Sequence, residues 1–247
     1  MDTTLTSTIS SCSKKSWRRC ERGSGMKRTA IPELLDTDSG TPAEIAASLA
    51  DLRRINRWFG GASALCNLIE HIATLTGLRE MSLLDVGAGS GDIAEAARAR
   101  LAKNGVTLSA TLLDRSSTHF ANGNAPRVAG NALRLPFRDS SFDIVACSTF
   151  AHHLEPEEMV SFAKEALRVA RVAFVINDLR RHAAHLALIY AGFPLFRSRL
   201  TRHDGPASVR RAYTVTELEE LLSQSEAESI QLSHHYLFRL GAIAWKA

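Results

Sequence analysis

Four short apolar runs, at residues 82–86, 107–113, 142–148 and 172–176, follow one another through the middle of the chain with helical or loop segments between them. Each is too short for a core helix and has no polar face, which is the pattern of strands covered on both sides. Strands alternating with helices predict an α/β fold around a parallel sheet. Ahead of them, Thr41-Pro42-Ala43-Glu44 reads as a capped helix start with proline at its first position, and Ile45, Leu49, Leu52 and Ile55 recur at three- and four-residue intervals. Gly60-Gly61 breaks this helix, and Leu65, Leu68, Ile69 and Ile72 carry a second one. These apolar positions need burial, and the open edge of the sheet is where we expect it. At the other end, residues 229–236 and 238–245 read as two strands joined too tightly for a helical crossover, so at least one runs antiparallel to its neighbour.

Residues 1–25 break the pattern. They are rich in Ser and Thr, have no apolar period and no secretory core, and are expected to be a disordered tail, with Met26 a candidate true start. We therefore divide the chain into that tail, a helical cover over 26–80, and the α/β domain over 81–247. The formal charge of +4 changes little, because the tail holds five Lys/Arg against Asp2 and Glu21 and leaves a nearly neutral body. A phosphate backbone needs a concentrated basic face, so no nucleic-acid partner is expected. The longest apolar stretch, around residues 186–196, is too short to span a bilayer. Cys12, Cys20, Cys66 and Cys147 lack metal-ligand spacing, so no metal is expected and a reducing cytoplasm fits, with the chain a monomer or homodimer.

The chemistry concentrates in Leu83-Leu84-Asp85-Val86-Gly87-Ala88-Gly89-Ser90-Gly91, a strand that turns through glycines into the helical pattern Ile93, Ala96, Ala97, Leu101. Glycines permit the sharp turn and close approach of a ligand to the backbone, and the helix start offers free N–H groups. A dinucleotide fingerprint would place its third glycine where Asp92 stands. Asp85 and Asp92 would repel a pyrophosphate but accept a cationic ammonium, which favours S-adenosylmethionine over a nicotinamide dinucleotide. Asp114 closes the next apolar run, where a carboxylate can accept both ribose hydroxyls; alternatively it caps a helix starting near Ser116.

The segments LLDVGAGSGDIA, LLDRS, GNALRLPFRDSSFDIVACSTFAHHL and VINDL resemble, in order and spacing, the class I S-adenosylmethionine-dependent methyltransferases, and among them the branch of the ubiquinone/menaquinone-biosynthesis enzymes. The stretches 56–61 and 203–211 also resemble small-molecule methyltransferases associated with type III polyketide synthases. The resemblance implies a Rossmann-like seven-stranded sheet of order 3-2-1-4-5-7-6, its last strand antiparallel. It also implies that Asp85, Gly87, Ala88, Gly89 and Gly91 surround the methionine part of the cofactor and that Asp114 and Arg115 hold the ribose. Asn131, Ala132 and Leu133 would edge the adenine, and Ser148 would lie beneath the cofactor after the fourth strand. Asn131 stands where members usually carry Asp; its side-chain oxygen still accepts a hydrogen bond, without the charge.

Methyl transfer mainly requires aligning a nucleophile and excluding water. The candidates for holding an acceptor oxygen are His152 and His153, directly after the fourth strand, where open α/β sheets bind ligands. One of them could equally pack under the sheet edge while the other fixes the loop. Arg57, Trp58, His203 and Arg210 are candidate acceptor contacts. From residue 179 to 212 seven arginines face the single acid Asp204 among many apolar residues. That suits an apolar lid over an acceptor with a greasy body and a phenolic or anionic head; the rival account pairs these arginines with Glu217, Glu219, Glu220, Glu226 and Glu228. The expected activity is methyl transfer to a small, partly apolar acceptor, phenolic, quinone-like or polyketide-type, with O-methylation preferred. An RNA- or protein-modifying enzyme is disfavoured because Ser148-Thr149-Phe150-Ala151 is unlike an Asn-Pro-Pro-Tyr motif. A catalytically silent cofactor-binding subunit is the remaining alternative.

Overall fold

The computed structural model describes residues 26–37, 39–115 and 125–247. Seven strands form one sheet: β1 (Glu80–Val86), β2 (Thr107–Asp114), β3 (Arg127–Ala129), β4 (Phe142–Ser148), β5 (Ala170–Leu179), β6 (Ser229–His235) and β7 (Arg239–Trp245). Their order is β3-β2-β1-β4-β5-β7-β6, as expected. Strands β1 to β5 pair in parallel, whereas β7 runs antiparallel to both β5 and β6. The expected tail over 1–25 and a helix start near Ser116 fall outside the described residues.

Alternation along each central strand divides the core into two layers. Leu84, Val86, Val145, Cys147, Phe174 and Ile176 pack on one face with Met159, Phe162 and Ala166 of α4 (Pro156–Val169) and Leu218 and Leu222 of α7 (Val215–Leu222). Met81, Leu83, Ile144, Ala146, Ala173 and Val175 pack on the other with Leu65, Leu68, Ile69 and Ile72 of α2 (Gly61–Thr76) and Ala94, Ala97 and Leu101 of α3 (Asp92–Lys103). Both faces are covered, which is why the strands read as unbroken apolar runs.

The first helix behaves differently. In α1 (Pro42–Trp58) the Thr41–Glu44 capping box forms as read from the sequence, but the buried residues are Ser48 and Asp51. Ser48 Oγ lies 3.1 Å from Thr201 Oγ1, and Asp51 Oδ2 accepts the backbone N–H groups of Arg197 (2.8 Å) and Ser198 (3.0 Å). Polar contacts therefore fasten α1 to α6 (Arg199–Arg211), while Ile45, Leu49, Leu52 and Ile55 remain only half-buried. The insertion between β5 and α7 consists of α5 (Ala183–Ala191), a 3-10 turn at Phe193–Leu195, and α6.

Candidate active site

The strand order reverses direction between β1 and β4, and ligands of open parallel sheets bind at the carboxyl ends of the strands flanking such a point. The glycine loop leaves β1 there, and the segment from Thr149 to His153 leaves β4 beside it. Gly87, Gly89 and Gly91 all have positive φ (68°, 52° and 75°). Their surroundings separate their roles. A Cβ on Gly87 would come within 2.4 Å of Phe150 Cδ2, and one on Gly91 within 2.5 Å of Leu112 Cδ1, whereas one on Gly89 meets nothing within 4 Å. Two of the glycines let the protein pack against the loop; Gly89 faces open space.

Three acids ring this space. Asp85 is fully buried, its Oδ1 without a hydrogen-bond partner among the described residues, and burial, with Asp92 and Asp114 nearby, pushes its carboxyl up to about 7. A buried, unpaired carboxyl at the foot of an open loop is suited to a cationic amine, because a cation there would restore its ionised form. Asp114 Oδ2 accepts the Gly89 N–H at 2.8 Å, and the Leu113 carbonyl accepts those of Gly87 (2.9 Å) and Ala88 (3.1 Å), so the end of β2 fixes the loop's shape. Arg115 is exposed and donates to the Asp36 carbonyl (3.2 Å). Asn131 is exposed and its Oδ1 accepts the Leu133 N–H (2.9 Å), beside buried Ala132. Ser148, also buried, receives a hydrogen bond from Asn177 Nδ2 (3.3 Å).

The loop after β4 holds a charged cluster. His152 is buried; its Nδ1–H donates to Asp178 Oδ1 (2.7 Å), and its backbone N–H to Asp178 Oδ2 (2.9 Å). Burial alone would lower the imidazole pKa, but Asp178 and Glu33 outweigh it and push it up to about 10. The carboxyls of Asp178 and Glu33 are held below their ordinary values: burial opposes ionisation, but His152 overrides it at Asp178, and His152 and His153 together do so at Glu33. His153 is partly exposed, and its Nδ1 pairs with Asp36 Oδ2 at 2.9 Å.

Beside this cluster lies a cavity of about 200 Å³. Its walls include Leu52, Ile55 and Phe59 from the α1 region and Leu188, Ile189 and Phe196 from the insertion. The C-terminal half of the α1 apolar stripe, Leu52 and Ile55, thus lines this cavity. Thr149, with φ 54°, and Leu237, with φ 51°, also line it, and backbone held in the left-handed region without glycine is a recurrent feature of functional sites. Glu33 stands in both the cavity wall and the histidine cluster.

Of the acceptor contacts expected from the sequence, Trp58 lines the cavity and Arg57, His203 and Arg210 do not. Arg57 points outward in an exposed position, His203 pairs with Asp204 (2.8 Å), and Arg210 donates to Tyr190 Oη (3.0 Å). The arginines of the insertion are largely structural: Arg181 pairs with Glu217 (2.5 Å), Arg199 with Glu44 (2.5 Å), and Arg211 donates to the His153 carbonyl (2.6 Å). Asp204 accepts the Leu34 (2.8 Å) and Leu35 (3.1 Å) N–H groups and so positions Glu33. Sequence reasoning passed over Arg239. It lies on β7, is buried, donates from Nη2 to Asn56 Oδ1 (3.0 Å), and belongs to the cavity wall; its Nη1 is sealed from solvent and has no hydrogen-bond partner among the described residues. A charged residue inside an otherwise apolar strand run was the available signal.

Residues 84–173 match the methyltransferase domain family. No curated protein matches the chain. Among solved structures, the plantazolicin methyltransferase BpumL in complex with SAH superposes with TM-score 0.64 at 14% identity, over 94% of this chain and 98% of that one. A putative S-adenosyl-L-methionine-dependent methyltransferase from Methanococcus maripaludis gives TM-score 0.54 at 16% identity, over 81% and 92%. The plantazolicin methyltransferase BamL, solved with a triazolic desmethylPZN analog and SAH, gives 0.61 at 16% identity, over 78% and 73%.

Proposed function

We propose that this enzyme, an S-adenosylmethionine-dependent methyltransferase by its domain match and its fold, methylates a small, largely apolar acceptor that carries an oxygen-bearing head and binds in the cavity between α1 and the insertion. The observation that carries this reading is the set of apolar side chains Leu52, Ile55 and Phe59 lining the cavity opposite Leu188, Ile189 and Phe196 of the insertion.

The cofactor is S-adenosylmethionine, which supplies a methyl group on a sulfonium. We assign Asp85, Gly87, Ala88, Gly89 and Gly91 to its methionine part, Asp114 and Arg115 to the ribose, and Asn131, Ala132 and Leu133 to the adenine, with Ser148 beneath the cofactor. We assign the guanidinium of Arg239, a residue of the cavity wall, to a phenolate, enolate or carboxylate oxygen of the acceptor. A buried guanidinium with one free nitrogen gains most from an anionic partner. This favours O-methylation of a phenolic or polyketide-type acceptor, in keeping with the quinone-biosynthesis and polyketide-associated branches that the sequence resembles. His152 adds positive charge at the end of β4, His153 stands beside it, and their cluster reaches the cavity through Glu33. The domain division at residue 80 belongs to the same proposal: residues 26–80 cover and complete the site, and residues 81–247 hold the cofactor. No helix among the described residues is long and apolar enough to cross a membrane, and the free thiols Cys66 and Cys147 are buried; we place the enzyme in the cytoplasm.

A second reading has an observation behind it. BpumL, similar in fold over nearly the whole chain, was solved with a pentazolic desmethylPZN analog, so a modified peptide is the alternative acceptor class. Turnover to S-adenosylhomocysteine over a panel of phenols, hydroxyquinones and azole-bearing peptides separates the two. Turnover of phenols alone supports the proposal, and turnover of peptides alone overturns the acceptor assignment.

A further inference from the structure

Glu33 comes from the segment before α1, and His152 and His153 from the 3-10 turn Ala151–His153 after β4. The fold brings one potential ligand atom from each within 4.8 Å of the others. His152 Nε2 lies 3.5 Å from Glu33 Oε1, and His153 Nε2 lies 3.8 Å from Glu33 Oε2. Each imidazole is anchored through its other nitrogen: His152 Nδ1 to Asp178 (2.7 Å) and His153 Nδ1 to Asp36 (2.9 Å). An ionised carboxylate only accepts, so both Nδ1 atoms carry a proton and each Nε2 is turned toward Glu33, where it becomes a ligand atom once an ion replaces any proton it carries. Carboxylates behind the histidines in this manner are the usual outer shell of metal-bound imidazoles, fixing the tautomer and raising ligand basicity. His152 Nε2 is buried and has no hydrogen-bond partner among the described residues.

Two imidazole nitrogens and one carboxylate facing a common point form the donor set of three-ligand sites that keep further coordination positions open. We propose that Glu33, His152 and His153 bind a divalent transition-metal ion. Bonds of about 2.0–2.2 Å set tetrahedral ligand atoms roughly 3.4 Å apart, so the separations here close by small side-chain rotations. Glu33, Asp36 and Asp178 supply three carboxylates around the cluster, against the guanidiniums of Arg211, 3.5 Å from Asp36 Oδ2, and Arg28, whose Nη2 donates to the His152 carbonyl (3.4 Å). Binding would displace one proton, the one Glu33 otherwise attracts to His152 Nε2. Ser208 Oγ donates to Glu33 Oε1 (2.9 Å) and steadies the carboxylate. Because Glu33 is also part of the cavity wall, an ion there borders the acceptor space and can hold an anionic acceptor oxygen; that use rests on the function proposed above, whereas the binding of the ion does not.

The test is titration of the full chain, stripped with a chelator, with zinc chloride followed by calorimetry, and with cobalt(II) followed by visible absorption. The expected result is one tight equivalent per chain. His153→Gln removes a ligand and should weaken binding at least about 100-fold, and Asp36→Asn, which touches no ion, by about 10- to 100-fold. Each variant's fold is checked by its S-adenosylhomocysteine affinity, which should match the wild type. Absence of saturable binding in the wild-type chain, or binding that both variants leave intact, overturns the proposal and means that the cluster is an ion-pair network closed by imidazolium. Failure of S-adenosylhomocysteine to bind while zinc does would count against the methyltransferase reading and leave the metal site standing.

Discussion

The three glycines of the loop make separable predictions, because one extra methyl group meets a different obstacle at each. All three sit at positive φ, so replacement by alanine carries a backbone cost of about 1–2 kcal/mol at any of them. At Gly89 nothing more is added from the protein, since no atom lies within 4 Å of the new Cβ. At Gly87 and Gly91 the Cβ would stand 2.4 Å from Phe150 and 2.5 Å from Leu112, and relieving such overpacking costs about 1–3 kcal/mol more. With about 2–4 °C of melting temperature per kcal/mol in a chain of this size, Gly89→Ala should melt roughly 2–8 °C below the wild type and the other two variants clearly lower. Ligand binding should not follow the same order. Gly89→Ala, and more completely Gly89→Val, should lose S-adenosylhomocysteine affinity out of proportion to stability, because the added carbons occupy the space the cofactor needs. Differential scanning calorimetry paired with isothermal titration reads both quantities. Wild-type affinity in folded Gly89→Val would refute the assignment of that space to the cofactor.

Asp85, held at about 7 by burial, links proton and cofactor. Its folded-state pKa lies above the unfolded value, so its contribution to apo stability is fully present below about pH 4 and is lost as pH rises through 7. A cationic amine favours the ionised form, so S-adenosylhomocysteine affinity should rise between pH 6 and 8, and Asp85→Asn should abolish that rise; an equal slope in the variant would sink the assignment. Asp114→Ala removes the acceptor of the Gly89 N–H as well as the proposed ribose contact and should cost about 1.5–3 kcal/mol of cofactor affinity, over tenfold, with Asp114→Asn milder. An unchanged dissociation constant would confine Asp114 to shaping the loop. Leu52→Ala, on the half-buried cavity face of α1, should raise acceptor KM while shifting stability far less than Leu65→Ala, where about 2–5 kcal/mol is expected; similar stability losses would mean that the α1 face is core.

Where apolar periodicity and burial coincide, the chain is legible. Strands β1, β2, β4, β5, β6 and β7 and the helices around Gly60-Gly61 lie where the pattern puts them, because each strand is covered on both faces or marked by its turn. Strand β3 escaped: Arg127–Ala129 is three residues long with only its middle residue partly buried, so it leaves no apolar run. The glycine loop was readable because its function and its backbone demand the same residues. The acceptor side was less so. Arg210 and His203 look like ligand contacts in the sequence, but they are claimed by Tyr190 and Asp204, neighbours that only the packing of α5 and α6 supplies. Glu33 acquires meaning only when Asp204 fastens its segment beside two histidines far along the chain, and Arg239 was hidden in what read as an ordinary strand.

The central claim is that the cofactor space above Gly89 and the apolar cavity behind α1 form one continuous site. A crystal structure with S-adenosylhomocysteine tests it most directly. The account predicts the amino end at Asp85, the ribose at Asp114, and the sulfur turned toward the cavity that Thr149 and Ile55 line. Density elsewhere, or a sulfur walled off from that cavity by protein, would contradict it.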